Sequence, residues 1–316
     1  MTTAGASAGA IIAVVGPTAT GKSDLGLALA ERLDGEIVNA DAMQLYRGMD
    51  IGTAKLSFAA RRGIPHHQLD VLEVGDEASV AAYQLAARAD LDAIHDRGGR
   101  PLLVGGSGLY VRAALDRLEI PPTDAAVRSR LMAELDTDGL SGLRARLHEL
   151  DPMAAAAIEP SNGRRIVRAL EVVELTGRPF SATMPRREHL VPTIVIGLQA
   201  ERNALDARIG RRVERMWSDG LLDEVERLLR AGLRSGPTAA KALGYRQAIA
   251  QLDGRLTATE AMAETATATR RFGRRQESWF RPDPRVVWLP HDAPDLVDRA
   301  LDLVAAGPHA TATLVR

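Results

Sequence analysis

Apolar positions in this chain follow two alternating rhythms. Ile11-Ile12-Ala13-Val14-Val15 is an unbroken apolar run closed by Gly16, the pattern of a strand buried on both faces of a parallel sheet. From Lys22 to Leu33 the rhythm changes: Leu25, Leu29 and Leu33 stand four apart, on one face of a helix. Glu36 to Asp41 predicts a second strand with Asp41 at its carboxyl end. Ser79 to His95, rich in Ala and Leu, predicts a helix. Pro101-Leu102-Leu103-Val104 predicts a third buried strand, running into Gly105-Gly106-Ser107-Gly108. Strand alternating with helix implies an α/β fold with a parallel, doubly wound sheet.

The alternation then stops. Pro121-Pro122-Thr123-Asp124 reads as a breaker followed by a helix N-cap. From there to about Glu188 the patterns are helical. Strand character resumes at Thr193-Ile194-Val195-Ile196-Gly197-Leu198, the rest is mainly helical, and Val286-Val287-Trp288-Leu289 predicts a last short strand. The expected organisation is a core from residues 10–118 and 189–316 with a helical C-terminal part, interrupted by a helical insertion over 119–188. The small, polar residues 1–9 are expected to form a disordered tail. They offer neither a basic region nor an apolar stretch long enough for a signal peptide.

Length and composition narrow the classes. At 316 residues the chain holds one large α/β domain with an insertion, or two small domains. Aromatics are 3%, so the core must be built from Leu, Val, Ile and Ala. The absence of cysteine excludes disulfides, Cys-ligated metals and thiol nucleophiles, and fits a reducing cytoplasm. The apolar runs fall short of the ~18 residues that span a bilayer. A net charge of −1 announces no polyanion partner, although a locally basic surface would suffice.

The chemistry concentrates at strand ends. Gly16-Pro17-Thr18-Ala19-Thr20-Gly21-Lys22-Ser23 matches G-x-x-x-x-G-K-[ST], with a strand before it and a helix after it. This is a P-loop of the nucleotide-binding, ATP-binding type. Its glycines allow the backbone amides to turn inward, the helix N-terminus adds partial positive charge, Lys22 supplies a cation and Ser23 can ligate Mg²⁺. Nucleotide hydrolases usually add an acid at the end of a second apolar strand. Here Leu102-Leu103-Val104 ends in glycines, and Asp70 follows His66-His67-Gln68-Leu69, which is not an apolar strand. That pattern favours a transferase acting on a phosphate or diphosphate ester. Ligands of open parallel sheets bind beyond the carboxyl ends of the strands, and three such ends carry the P-loop, Asp41 and Ser107. Asp41 is either a turn former or a proton acceptor. Ser107 is either a helix cap or a hydroxyl aimed at a phosphate. His66 and His67, adjacent in an extended segment, point to opposite sides and suit structural hydrogen bonds better than a metal.

Arginines cluster at Arg164, Arg165 and Arg168; at Arg208, Arg211, Arg212 and Arg215; and at Arg270, Arg271, Arg274, Arg275 and Arg281, the last beside Trp279 and Phe280. One such cluster is usually a solvated helix face. Three, with aromatics interleaved, suggest a polyanion surface.

Taken in order, GPTATGKS (16–23), DAMQLYRGMDIGTAK (41–55), PHHQLDV (65–71), VGGSGLY (104–110), RRIVRALEV (164–172), ALGYRQ (242–247) and RRQESWFR (274–281) resemble the bacterial tRNA dimethylallyltransferases, also called tRNA isopentenyltransferases. The resemblance runs from about Ile11 to Arg281. It implies a P-loop NTPase-like core with an inserted helical domain that contacts tRNA. It also implies prenylation, from dimethylallyl diphosphate, of the exocyclic N6 of the adenine 3′-adjacent to the anticodon, flipped out of the anticodon stem-loop. By the same resemblance Asp41 is the general base, and Ser107 and Arg212 join the P-loop on the diphosphate. The tRNA-binding positions are Asp41, Ala42, Met43, Gln44, Ser107, Arg128, Arg164, Arg165, Arg168, Lys241, Gly244, Tyr245, Arg246, Arg274, Arg275, Gln276, Trp279 and Arg281. A cytoplasmic monomer using Mg²⁺ is expected. Ala42 stands where the family commonly has Ser, Thr20 likewise, and Leu56 where Pro often follows the lysine. Three rivals are a small-metabolite kinase, a nucleotide-dependent RNA-binding switch and an enzyme prenylating free adenine nucleotides. The kinase would need ATP turnover and would not explain the arginine clusters, the switch would bind nucleotide and give no prenyl product, and the tRNA-type arginine stretches argue, by resemblance, against the third.

Overall fold

A computed structural model describes residues 9–183 and 187–314. Of the tail expected over 1–9, all but Gly9 lies outside the described residues. In chain order the elements are β1 (Ile11–Val15), α1 (Lys22–Leu33), β2 (Gly35–Asn39), β3 (His66–His67), α2 (Val80–Asp96), β4 (Arg100–Val104), α3 (Gly108–Leu115), α4 (Ala125–Leu150), α5 (Pro152–Ala157), α6 (Gly163–Thr176), β5 (Thr193–Gln199), α7 (Arg202–Ser218), α8 (Leu221–Arg230), α9 (Tyr245–Leu252), α10 (Ala258–Phe280), β6 (Val286–Pro290) and α11 (Leu296–Leu314). The chain divides into two compact units, Met1–Leu115 with His189–Arg316, and Asp116–Glu188.

In the larger unit all strands run parallel, in the order β3-β2-β4-β1-β5-β6. The continuous apolar runs are explained by position. β1 is central, and its successive side chains enter different cores. Ile11, Ala13 and Val15 join Val38, Leu103 and the faces of α2 and α3. Ile12 and Val14 join Ile37, Leu102 and the faces of α1 and α11. A third core, from Tyr46 and Met49 to α8 and α9, lies beneath the segment that follows β2.

β2 stops at Asn39, short of the expected Asp41. The Asn39 side chain makes hydrogen bonds on both sides of Asp41: Asn39 Oδ1 accepts from the Asp41 N–H at 2.9 Å and Asn39 Nδ2 donates to its carbonyl at 3.0 Å. These bonds turn the backbone out of the sheet. β3 is a two-residue edge strand that the sequence pattern did not predict, paired only with β2.

In the smaller unit, Asp124 caps α4 through the N–H groups of Ala126 and Val127, both at 2.9 Å. α4 is kinked at Gly139, whose φ of 75° breaks helical geometry. α4, α5 and α6 close a separate core around Leu131, Leu147, Ile166 and Leu170.

β2, β4 and β1 end level, with Asn39 beside Val104 and Val104 beside Val14. Beyond their ends the backbones interlock. Gly105 donates to the Val14 carbonyl at 3.1 Å, Ala40 to Val104 at 2.8 Å, and Ser107 to Ala40 at 3.1 Å. A Cβ on Gly105 would lie 2.3 Å from the Ala40 carbonyl carbon, so only glycine permits this approach. Gly105→Ala should therefore cost about 2–3 kcal/mol of stability by overpacking, measured by urea unfolding monitored by circular dichroism; an unchanged midpoint would mean the two strand ends are not held in contact.

Candidate active site

The P-loop leaves β1 at Gly16 (φ 132°) and enters α1 at Gly21 (φ 85°), both in backbone regions that L side chains rarely adopt. No side chain caps the first amides of α1. They form the anion-binding end of the helix. Within the loop, the Thr20 hydroxyl donates to the Pro17 carbonyl at 2.8 Å and Lys22 Nζ to the same oxygen at 2.7 Å. The partly exposed Ser23 hydroxyl makes no hydrogen bond among the described residues, so it is available to a metal.

Two arginines from α7 reach the loop from outside. Arg208 Nε donates to the Ala19 carbonyl at 2.7 Å. Arg212 Nη1 donates to the Thr18 hydroxyl and its Nη2 to the Thr53 carbonyl, each at 3.2 Å. From α10, the buried Gln276 amide bridges two loops: its Oε1 accepts from the Thr18 N–H at 2.8 Å and its Nε2 donates to the Gly106 carbonyl at 3.0 Å.

Asp41 stands beyond β2. Its Oδ1 accepts from the Met43 N–H at 3.0 Å, the turn expected of a loop aspartate. The turn leaves the other carboxylate oxygen without a partner among the described residues, so the two readings of Asp41 are compatible. Ser107 does not use its hydroxyl to cap α3. Its Oγ accepts from the Ala42 N–H at 3.1 Å, tying the glycine loop to the segment after Asp41. Position 42 thus contributes its amide, which is independent of side chain.

Lys22, Arg212 and Asp41 share one electrostatic field. Burial pushes the Lys22 ammonium down to about 8, with Asp41 opposing and Arg212 reinforcing the shift. Burial also lowers the Arg212 guanidinium, again opposed by Asp41. Each cation is hydrogen-bonded to neutral protein oxygens, so its charge stays available to an anionic ligand.

Several expected tRNA positions are placed otherwise. Gln276 is buried and both ends of its amide are occupied as described. Tyr245 is fully buried and its hydroxyl donates to Glu224 Oε1 at 2.6 Å. Gly244 is a buried turn residue with φ 85°. These three act from within the protein and present no side chain to a partner. In the smaller unit, Arg128 and Arg168 are both committed to the buried carboxylate of Glu171 at 2.8 Å. Arg168 also donates to the carbonyls of Pro121 and Pro122, fastening the breaker that precedes α4. Arg164 and Arg165, on α6, are exposed. So are Lys241, Arg246, Arg274, Arg275, Trp279 and Arg281 in the larger unit. Met43 packs against the third core and Gln44 Nε2 donates to the Thr53 carbonyl at 3.2 Å. His67 Nε2 is 2.6 Å from Glu36 Oε2 and His66 Nδ1 is 2.9 Å from the Ile64 carbonyl. Among the described residues no group of three or more His, Asp or Glu can hold a metal.

Sequence reasoning did not single out Lys55 or Glu224, and weighed Asp70 only as a metal-binding acid and not as a partner of Lys55. Lys55 Nζ, nearly buried, donates to the Tyr46 carbonyl at 2.7 Å, to Asp50 at 2.8 Å and to Asp70 at 2.6 Å. Glu224 carried a usable signal. It lies on the apolar stripe of α8 with Leu221, Val225 and Leu228, where an unpaired acid would not be tolerated.

The chain matches the model of the family described as IPP transferase over residues 44–283. It is 62% identical to the tRNA dimethylallyltransferase of Thermobifida fusca, covering 93% of this chain and 94% of that protein. It is 59% identical to that of a Nocardioides species, covering 94% and 96%. Among solved structures, the full-length tRNA isopentenylpyrophosphate transferase of Bacillus halodurans is 38% identical, with a TM-score of 0.70 over 97% of this chain and 99% of that one. A eukaryotic dimethylallyltransferase acting on tRNA, 24% identical, shares the fold with a TM-score of 0.78 over 94% of this chain and 77% of that one. No helix among the described residues is long and apolar enough to cross a membrane.

The lowered Lys22 ammonium gives a pH test. Lys22 is charged below about 8 and neutral above it, so affinity for an alkyl diphosphate should be level near neutral pH and fall as pH rises through that value. Titration calorimetry of the wild type beside Lys22→Met, which cancels the ligand's own titration, should show the falling limb in the wild type only. The same limb in both proteins would remove Lys22 from the site.

Proposed function

The chain belongs to the IPP transferase family, and from that premise we propose that it transfers a dimethylallyl group from dimethylallyl diphosphate to N6 of the tRNA adenine 3′-adjacent to the anticodon, giving N6-isopentenyladenosine. One observation carries the reading: the P-loop and Lys22 at the end of β1, with Arg212 reaching in from α7, share one electrostatic field with Asp41 beyond the end of β2, the two strands flanking β4. An anion-binding cradle therefore faces a proton acceptor.

In the reaction the C1–O bond to the diphosphate breaks, the C1–N6 bond forms, and one N6 proton is lost. An allylic diphosphate ionises readily once charge on its leaving group is stabilised. The amides at the start of α1, Lys22 and Arg212 provide that stabilisation, and loss of one such contact costs about 3 kcal/mol of barrier. The Ser23 hydroxyl is the residue that would hold Mg²⁺, which when bound adds positive charge to the diphosphate. The adenine amine is a weak nucleophile with a weakly acidic N–H. Asp41 takes its proton as the C–N bond forms, through the carboxylate oxygen that the turn leaves unused. Ser107, fastened to the Ala42 amide, sits between the glycine loop and Asp41 and can donate its hydroxyl proton to the diphosphate or the nucleotide.

The P-loop thus holds a leaving group, and no nucleotide is consumed. Asp70, the nearest acid to a hydrolase's metal ligand in the sequence, is engaged by Lys55 and does not serve the loop, which disfavours the kinase alternative. Exposed Arg164 and Arg165 on α6, and Lys241, Arg246, Arg274, Arg275, Trp279 and Arg281 elsewhere, supply cations and a stacking ring for an anticodon stem-loop. On this reading the protein is expected to act as a monomer in the cytoplasm.

Incubation with dimethylallyl diphosphate, Mg²⁺ and unmodified tRNA should yield N6-isopentenyladenosine by nucleoside mass spectrometry, and ATP with small metabolites should give no turnover; the converse result would replace this reading with the kinase. Asp41→Ala should lower the single-turnover rate by about 10²–10⁴-fold while filter-bound tRNA affinity largely survives. Near-normal chemistry in that variant would end the assignment of Asp41 as base.

A further inference from the structure

Arg212 is the cation most remote from the P-loop in sequence, and its aim depends on the Thr53 carbonyl. That carbonyl belongs to a segment with no regular structure of its own between β2 and β3. What fixes it is buried. Glu224, on α8 and 2% exposed, points its carboxylate at three successive amides: Oε2 accepts from Asp50 at 3.2 Å and Ile51 at 2.8 Å, and Oε1 from Gly52 at 3.3 Å. The Tyr245 hydroxyl supplies a fourth donor to Oε1 at 2.6 Å. Gly52 lies so close to the Tyr245 ring that a Cβ there would stand 2.4 Å from Cε2. Lys55 clamps the other side of the segment through Tyr46, Asp50 and Asp70.

We propose that Glu224, held by Tyr245, is a positioning residue that sets Arg212 over the leaving diphosphate through the backbone of residues 50–53. The inference rests on the prenyl-transfer reading for the identity of the ligand, but not for the geometry. A carboxylate only accepts hydrogen bonds, so it can gather several amides at one point. An aspartate would fall short of them, and a glutamine would turn donors against donors. The amides converge on Glu224 as they would on a bound anion, and the neighbouring carbonyl of Thr53 is left facing Arg212 and Gln44. Without the anchor, the segment keeps its Lys55 clamp but loses the fixed carbonyl, and Arg212 loses one of its two hydrogen-bond partners.

The test is a double-mutant cycle on inorganic diphosphate binding by titration calorimetry, using the full chain. Glu224→Gln should weaken binding about tenfold, and Tyr245→Phe should weaken it less. In an Arg212→Ala background, Glu224→Gln should add nothing, because its effect passes through the guanidinium. Turnover should show the same split, with KM for the donor raised and KM for tRNA little changed. If Glu224→Gln does not fold, Gly52→Ala, whose methyl would meet the Tyr245 ring, pushes the same segment off its anchor and enters the cycle in its place. Additive losses, or undiminished diphosphate affinity in the folded variants, would overturn the proposal. Wild-type diphosphate binding without any prenyl product would instead sink the proposed function and leave the positioning role standing.

Discussion

The site depends on the near contact of two backbones, at Gly105 and Ala40. Parallel strands that end level place their loops side by side, but they do not oblige those loops to touch. Here Ala40 donates to Val104, Ser107 donates back to Ala40, and the missing Cβ of Gly105 lets the chains approach to contact. The P-loop joins through the bond from Gly105 to Val14. Everything placed beyond the strands inherits this arrangement: Asp41 through the Asn39 turn, Ser107 through its bond to the Ala42 amide, and the α1 amides through β1. The backbones that carry Asp41, Ser107 and the α1 amides are thereby fixed relative to one another, while Arg212 reaches the same place from α7.

The electrostatic design follows from what the cations touch. Lys22 rests on the Pro17 carbonyl, Arg208 on that of Ala19, and Arg212 on the Thr18 hydroxyl and the Thr53 carbonyl. A buried cation needs hydrogen-bond partners, and a carboxylate would have cancelled its charge as well. Neutral oxygens satisfy the donors and leave the charge in place. Burial depresses the Lys22 ammonium, and the neighbouring Arg212 charge adds to the effect. Asp41 moderates the field from beyond the end of β2. Elsewhere the opposite solution appears. Arg128 and Arg168 meet on Glu171, and their charge is spent on holding the smaller unit together.

Much of this was legible in the chain. The central strands could be recognised because both their faces are buried, which leaves no polar alternation to obscure them. The P-loop was legible because its spacing is itself the chemistry. Less accessible was the direction in which a motif residue faces. Tyr245 and Gln276 belong to stretches that resemble tRNA contacts, yet both lie inside. In the run RRQESWFR both Gln276 and Phe280 turn inward; the apolar Phe280 announces this, whereas a glutamine one turn before it reads as a surface residue until its partners are known. Gln276 turns inward because it finds an amide and a carbonyl on two different loops. The short β3 strand escaped notice because two histidines carry no hydrophobic period, and its pairing is imposed by β2. Glu224 shows the reverse case, an acid on an apolar stripe whose oddity announced a buried partner without naming it.

The bridge from Gln276 to Thr18 spans 258 positions of the chain. A ribosome makes the P-loop early and its fastening last. While residues 16–23 are already synthesised, the helix that donates Gln276 does not exist, and neither does α7 with its two arginines. Contacts of such long separation are the slowest to form, and domains are otherwise free to fold as they emerge. The nascent chain therefore carries the loop before the residues that brace it exist. The brace on the P-loop is complete only after residue 276 has been made, so a product truncated before it is expected to carry an unbraced loop.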